Sequence, residues 1–141
     1  MALTLTVCSP DRKLFDKKSV KEVTIPGFEG EIQILPEHGR MVGTLETGIL
    51  SYRGEDGGET IAAVSSGFFE VADDHVMVLA ETLELNKEVD LERAKRAQSA
   101  AELKLNDASL EPDTFRKYQL KLQRALVRQQ VGTTSSSEAS N

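Results

Sequence analysis

The chain has 141 residues, 39% of them hydrophobic and 5% aromatic, and a formal net charge of −6. This length suits one domain or a small domain with an appendage, and the acidic character argues against nucleic acid as a partner. One cysteine excludes an internal disulfide, and with two histidines it leaves no Cys/His spacing for a metal, so we expect an intracellular compartment. The sequence shows neither a secretion signal nor an apolar run of about 18 residues, so it predicts no membrane span.

Short apolar stretches that alternate with polar residues fill the first 88 residues. Leu3, Leu5 and Val7 predict a first strand, which ends at the turn signal 9–11. Further strands are predicted at 14–15, 20–25, 32–34, 45, 48–52, 60–64, 68–71 and 75–80, with hairpin loops at 54–58 and 73–74. Short strands separated by turn signals at spacings of roughly 8–12 residues predict a β-sandwich or barrel.

The period of the apolar pattern changes within residues 84–97. Before this stretch apolar residues face alternate sides, as in 76–80, and after it they recur at helical spacing through 91–105. Asp90 is placed to cap the first helix, because its carboxylate can accept from the free amides of the first turn. The junction between the β unit and the helical unit is also a candidate hinge.

The helical part divides at residues 106–111. Pro112 suits the first turn of a second helix, and Glu111 before it is biased away from helical geometry. Two amphipathic helices with a short connection predict an antiparallel hairpin. The second helix has an apolar stripe and, turned away from it, a basic stripe: Phe115, Tyr118, Leu122, Ala125 and Leu126, against Lys117, Lys121, Arg124 and Arg128. The polar residues 132–141 predict a disordered tail.

Charge is distributed unevenly along the chain. Residues 1–88 carry 16 acidic and 8 basic side chains, whereas residues 89–131 carry 6 acidic and 9 basic ones. This asymmetry indicates that the helical part meets an acidic partner, and the N-terminal half of the same chain is one candidate.

No phosphate loop, dinucleotide fingerprint, nucleophile elbow or zinc-protease motif is present in the sequence, so we expect neither a catalytic nor a metal site. Glu81, Glu84 and Glu88 are most simply a solvated edge. The stretch 26–39 has glycine and proline at both ends of a short strand and presents Glu29, Glu31 and Glu37. Asp90-x-x-Arg93-Ala94 is explained either as an ordinary helix start or as a nucleotide contact with Arg93 on phosphate.

Several of these motifs occur together in the order and spacing of a known family. They are Pro26-Gly27-x-Glu29-Gly30-Glu31, Leu35-Pro36-x-His38, Gly48-Ile49-Leu50, Ser65-Ser66-Gly67-Phe68-Phe69-Glu70-Val71, Val76-x-Val78-Leu79-Ala80-Glu81 and Val89-Asp90-x-x-Arg93-Ala94. The chain thereby resembles the epsilon subunits of bacterial F-type ATP synthases through residues 3 to about 131. The resemblance implies a ten-stranded β-sandwich (1–88) followed by a regulatory two-helix hairpin (89–131), and the tail (132–141) has no counterpart in the family.

The resemblance also implies a function in a rotary complex. The sandwich would dock on the gamma subunit and the ring of c subunits, with Glu29, Gly30, Glu31 and the nearby His38 at the ring-facing end, and would couple rotation to proton or sodium-ion flow. The hairpin would lie folded on the sandwich or extend to the alpha and beta subunits, where the basic stripe would restrain ATP hydrolysis. Such a subunit is not catalytic alone, and it meets the cytoplasmic face of the bacterial inner membrane peripherally, through the complex.

Some members of the family bind ATP between the folded hairpin and the sandwich. The residues here that match their motif or could assist it are Glu84, Asp90, Arg93, Ala94, Arg124 and Arg128. No cofactor is required, and ATP is a candidate regulatory ligand. Two alternatives stay open for the hairpin: it serves chiefly as an ATP sensor, or it is a purely structural brace of the stalk.

Overall fold

The computed structural model describes residues 2–134, in which seven strands precede two α-helices. The strands are β1 (Leu3–Cys8), β2 (Lys13–Gly27), β3 (Gly30–Ile34), β4 (Met41–Leu45), β5 (Gly48–Gly54), β6 (Glu59–Ala72) and β7 (His75–Leu85). A single 3-10 turn (Asn86–Glu88) leads to α1 (Leu91–Leu105) and α2 (Pro112–Thr133). The expected fold class, a β-sandwich followed by a helical hairpin, is confirmed.

The strands close on themselves because the two longest change partners midway. Strand β6 pairs with β5 up to Val64 and with β4 from Gly67 onward. Strand β2 pairs with β1 early in its length and with β5 and β3 later. Strand β1 completes the ring by lying parallel to β7, with Leu5 opposite Val76. The described residues hold seven continuous strands rather than the expected ten, in part because β2 and β6 each span two of the short strands predicted from the sequence.

The core lies between the two layers of this folded sheet. Val76, Val78 and Ala80 of β7 point into it, whereas Leu79 between them is exposed, which confirms the predicted alternation. Other buried members of the core come from β1 (Leu3, Leu5 and Val7) and from the strands that pair around it (Val20, Val23, Ile25, Ile34, Leu50 and Val64).

The predicted signals at the helix ends are confirmed. The Asp90 carboxylate accepts from the backbone amide of Arg93 at 3.1 Å, and Pro112 stands in the first turn of α2 after an extended Glu111 (ψ 151°). Helix α2 ends at Thr133, two residues inside the segment predicted as a tail, and positions 135–141 lie outside the described residues. Within the described part, no helix combines the length and apolar character needed to cross a membrane.

Candidate functional site

Helix α2 packs on the outside of the sandwich, and α1 packs on α2. The contact with the sandwich is a small apolar cluster separate from the main core, in which Val131 is fully buried against Ile61 and Ala63. Burying a valine contributes roughly 1.5–3 kcal/mol. Between the helices, Gln129 Nε2 donates to Gln98 Oε1 at 2.7 Å. The hairpin is therefore folded onto the sandwich, but through a limited contact.

Two arginines of α2 pair with carboxylates on strand β7. Arg128 Nε donates to Glu84 Oε1 at 2.6 Å, and Arg124 Nη2 donates to Glu81 Oε2 at 3.2 Å. The prediction that the basic helical part meets its own acidic N-terminal half is confirmed by these pairs. Glu81 and Glu84 thus have arginine partners: Glu81 is 61% exposed, as expected of a solvated edge, whereas Glu84 is only 28% exposed.

The basic stripe of α2 is divided by this packing. Arg124 and Arg128 lie beside the buried Ala125 and reach the sandwich, so they do not turn away from the packed face as expected. Long arginine side chains make this reach possible, because their stems cover apolar surface while the guanidinium meets a carboxylate at the edge. Lys117 and Lys121 are exposed, and they are the part of the stripe that has no ion pair within residues 2–134.

A third ion pair fixes the chain where it leaves the sandwich. Arg12, in the turn between β1 and β2, makes two 2.8 Å hydrogen bonds to the Glu88 carboxylate and donates to the Leu83 carbonyl. Glu88 also accepts from the Leu85 amide. The hydrogen bond from Arg12 is the main cause that lowers the pKa of Glu88 to about 2, so the pair stays intact at neutral pH.

Sandwich and hairpin enclose a cleft of about 960 Å³. Four of the six residues predicted to contact ATP line it: Glu84, Arg93, Arg124 and Arg128. Asp90 does not, because its carboxylate caps α1, and Ala94 does not, because it is fully buried. The structure therefore brings Glu84 and the three arginines together and leaves Asp90 and Ala94 as parts of the helix start.

Sequence reasoning missed several residues that line the same cleft. They are Arg12, Thr47, Ser65, Thr82 and Tyr118. Lys121 lines the cleft too, although the sequence assigned it only to the basic stripe. Ser65 Oγ and Thr82 Oγ1 share a hydrogen bond of 2.5 Å, and in the described part Thr47 Oγ1 and Arg124 Nε are buried without a partner. Arg93, like Lys121, has no ion pair among residues 2–134. The cleft thus offers an anionic ligand two cations without an ion pair in the described part, Arg93 and Lys121, the latter over the Tyr118 ring at 5.2 Å.

The predicted ring-facing residues occupy two separate places. Phe28 and Glu29 form the tight turn between β2 and β3, and Gly30, with φ +118°, and Glu31 are the first two residues of β3. His38 was expected near this turn, but it lies in the loop beyond the other end of β3, roughly 13 Å or more along the strand. That loop is held to the β6–β7 turn, because the Glu37 amide donates to Asp74 Oδ1 at 2.6 Å.

The outer face of the sheet carries an apolar strip that no element covers in the described part of the chain. Phe68 of β6 is 62% exposed and lies opposite Leu79 of β7, which is 46% exposed. Val42 of β4, on the same face, is 65% exposed. Neighbouring exposed apolar residues make this face a candidate surface for binding another protein. We define the outer strip as Val42, Phe68 and Leu79.

The turn between β2 and β3 ends in a second exposed apolar side chain. Phe28 is 75% exposed at its tip, while Pro26 and Gly27 at its base are buried. Two exposed acidic residues, Glu29 and Glu31, follow this tip. Among residues 2–134 no three His, Cys, Asp or Glu side chains converge as metal ligands would.

The structure is thus a β-sandwich joined to a helical hairpin that folds back on it. The model for the ATP synthase delta/epsilon chain β-sandwich domain matches residues 2–86, and the model for the long α-helix domain of the same chains matches residues 87–132. The chain therefore belongs to the ATP synthase delta/epsilon family, and it is an epsilon-type subunit of that complex.

Relatives agree with this family over most of the chain. The ATP synthase epsilon chain of Trichlorobacter lovleyi is 41% identical over 92% of both chains, and that of Exiguobacterium sp. is 40% identical over 88% of this chain and 90% of its own. Among solved structures, a chain of the Euglena gracilis mitochondrial ATP synthase matches with a TM-score of 0.77 and 25% identity, covering 86% of this chain and 76% of its own. A chain of the Tetrahymena thermophila central stalk, 14% identical with a TM-score of 0.65, shares the fold.

Proposed function

We propose that this chain is a non-catalytic subunit of the central stalk, coupling ion-driven rotation of the c-ring to ATP synthesis and restraining ATP hydrolysis through its hairpin. The observation that supports this best is the two-part architecture within an ATP synthase family: a rigid sandwich with uncovered apolar surface, and a hairpin attached to it by a limited contact. Its place in the cell follows: the cytoplasmic face of a bacterial inner membrane, held there peripherally through the complex.

The sandwich offers two surfaces for the rotor. The outer strip (Val42, Phe68 and Leu79) suits an apolar surface of the gamma subunit. The turn at Glu29, with the exposed carboxylates of Glu29 and Glu31, suits the c-ring. A subunit that binds both would transmit rotation from the ring to gamma, whether the coupling ion is a proton or sodium.

Replacing Phe68 with aspartate should weaken binding to gamma by at least about tenfold, because a charge would replace an exposed aromatic anchor without touching the core. Surface plasmon resonance with the full chain and a gamma–c-ring subcomplex measures this. The matched control is Leu103→Asp, since Leu103 is 75% exposed on α1, outside the sandwich. Equal affinities for the two variants would exclude the outer strip as the gamma-binding surface.

The hairpin would act by leaving the sandwich. In the folded position Arg124 and Arg128 are held by Glu81 and Glu84, and Lys117 and Lys121 are exposed. An extended hairpin would present all four cations to acidic segments of the beta and alpha subunits, so that the basic stripe exchanges one set of carboxylates for another. Such an exchange keeps the two positions close in free energy, as a two-state device requires.

A second candidate role is regulation by ATP bound in the cleft. The supporting observation is that Arg93 and Lys121, both without an ion pair in the described part, line the same cleft of about 960 Å³. A bound polyphosphate would bridge the two helices and so favour the folded hairpin.

Calorimetry with the isolated full chain should show ATP binding, and Arg93→Ala should weaken it by about tenfold or more, because a guanidinium to phosphate contact is lost. Arg96→Ala is the matched control, since Arg96 is exposed on α1 and does not line the cleft. Absence of binding at millimolar ATP would remove this role.

A further inference from the structure

The geometry points to a latch at the last turn of α2: Asn86 and Val131 hold the hairpin on the sandwich, and the ion pairs along the rest of α2 are secondary to them. This inference rests on the proposed function only in that the hairpin must leave the sandwich to act. The latch itself is a property of the isolated chain.

The apolar part of the latch lies on the outside of strand β6. Ala62 and Val64 point into the main core, whereas Ile61 and Ala63, which alternate with them, point out and are buried only where α2 packs. Val131 covers them and is fully buried. Releasing the hairpin would therefore expose the outward residues of β6 while the main core stays closed.

The polar part of the latch is a side chain from the linker. Asn86 Nδ2 donates to the carbonyl oxygens of Val131 and Thr134, each at 2.5 Å. The Val131 carbonyl also accepts from the Thr134 amide at 3.3 Å, so Asn86 adds a donor from outside the helix at an end where carbonyls lack helical partners. Because Asn86 lies where the chain leaves the sandwich, it ties the beginning of the hairpin to its end.

Close packing at Gly132 also fixes the position of the last turn of α2. A Cβ atom at this position would lie 2.8 Å from Leu91 Cδ2 and 2.9 Å from Val89 Cγ1. The last turn therefore rests against the linker and the first residue of α1. The opposite end of the hairpin differs, since Leu103 of α1 is 75% exposed and Phe115 of α2 is 39% exposed. The contacts that fix the folded position thus concentrate at the C-terminal end of α2.

Hydrogen exchange of the isolated full chain, read by mass spectrometry, tests the latch. Asn86→Ala should raise the exchange rate of amides in α2 by about fivefold or more, because it removes two hydrogen bonds at the helix end. Val131→Asp should raise it by at least about a hundredfold, since a charge would be forced into the apolar cluster. Amides of β1 and β7 should keep their protection in both variants, which shows that the sandwich remains folded.

Asn106→Ala and Leu103→Asp are the matched controls, because both positions are exposed at the far end of the hairpin. If the latch variants exchange no faster in α2 than these controls, the inference is wrong. It is also wrong if Glu81→Gln with Glu84→Gln releases α2 more than Val131→Asp does, since the ion pairs would then be the principal contact. No ATP synthase is present in this assay, so failure of the inhibitory function would leave its result unchanged.

Discussion

Replacing Gly67 with alanine should destabilise the sandwich by more than about 3 kcal/mol, the largest effect expected of a single methyl group in this chain. Gly67 lies on β6 opposite Ala80 of β7 and Leu45 of β4, where β6 passes from one partner to another. A Cβ atom here would lie 1.8 Å from the carbonyl oxygen of Leu79 and 2.9 Å from its carbon. Because these are backbone atoms of a paired strand, relief requires breaking the β6–β7 ladder.

Urea denaturation followed by circular dichroism measures the change. Gly39→Ala is the matched control, because its Cβ would meet nothing within 4 Å and its φ is not in the left-handed region. It should change the free energy of unfolding by no more than about 0.5 kcal/mol. Unfolding midpoints that agree for the two variants would show that the strands adjust at Gly67 and that the close approach is not required.

The parts of the fold that follow from short-range pattern were predictable from the sequence. The alternation in β7 and the helical spacing after residue 90 each reflect one periodicity, and Asp90 and Pro112 act within a single turn. The full length of β2 was not predictable. Lys17 has φ 54° and its amide donates to Thr6 Oγ1. The polar residues 16–19, which the sequence predicts as a gap between two strands, therefore continue β2 in an irregular conformation.

Within the candidate site, only residues that lie on a single helix or strand could be grouped from the sequence. Arg124 and Arg128 share a helical face, and their charge indicated an acidic partner, yet nothing local identifies Glu81 and Glu84 as that partner. Arg12 and Thr47 reach the cleft from turns far along the chain, through strand pairings of long sequence separation. The parallel pairing of β1 with β7 is one of these pairings, and it cannot be predicted from a turn because no turn connects the two strands.

Removing the hairpin should raise ATP hydrolysis by a reconstituted catalytic head, and this is the largest functional effect we expect. If the hairpin obstructs the head for about 90% of the time, roughly a tenth of the complexes are active, and its removal raises the rate about tenfold. A chain that ends at Val89 retains every buried residue of the main core, so the sandwich should still fold and bind gamma. The comparison is steady-state hydrolysis with the full chain and with this shortened chain.

The contribution of the basic stripe requires a variant that leaves the folded position undisturbed. Reversing Arg124 and Arg128 would also repel Glu81 and Glu84 and release the hairpin, so two effects would be mixed. Reversing only Lys117, which is exposed and does not line the cleft, avoids this, and Lys117→Glu should relieve part of the inhibition. Lys104→Glu on α1 is the control of equal charge, because Lys104 is also exposed. If truncation leaves the rate of ATP hydrolysis unchanged while gamma is still bound, the hairpin is a brace or an ATP sensor. If truncation raises the rate but the charge reversal does not, the hairpin inhibits by steric obstruction.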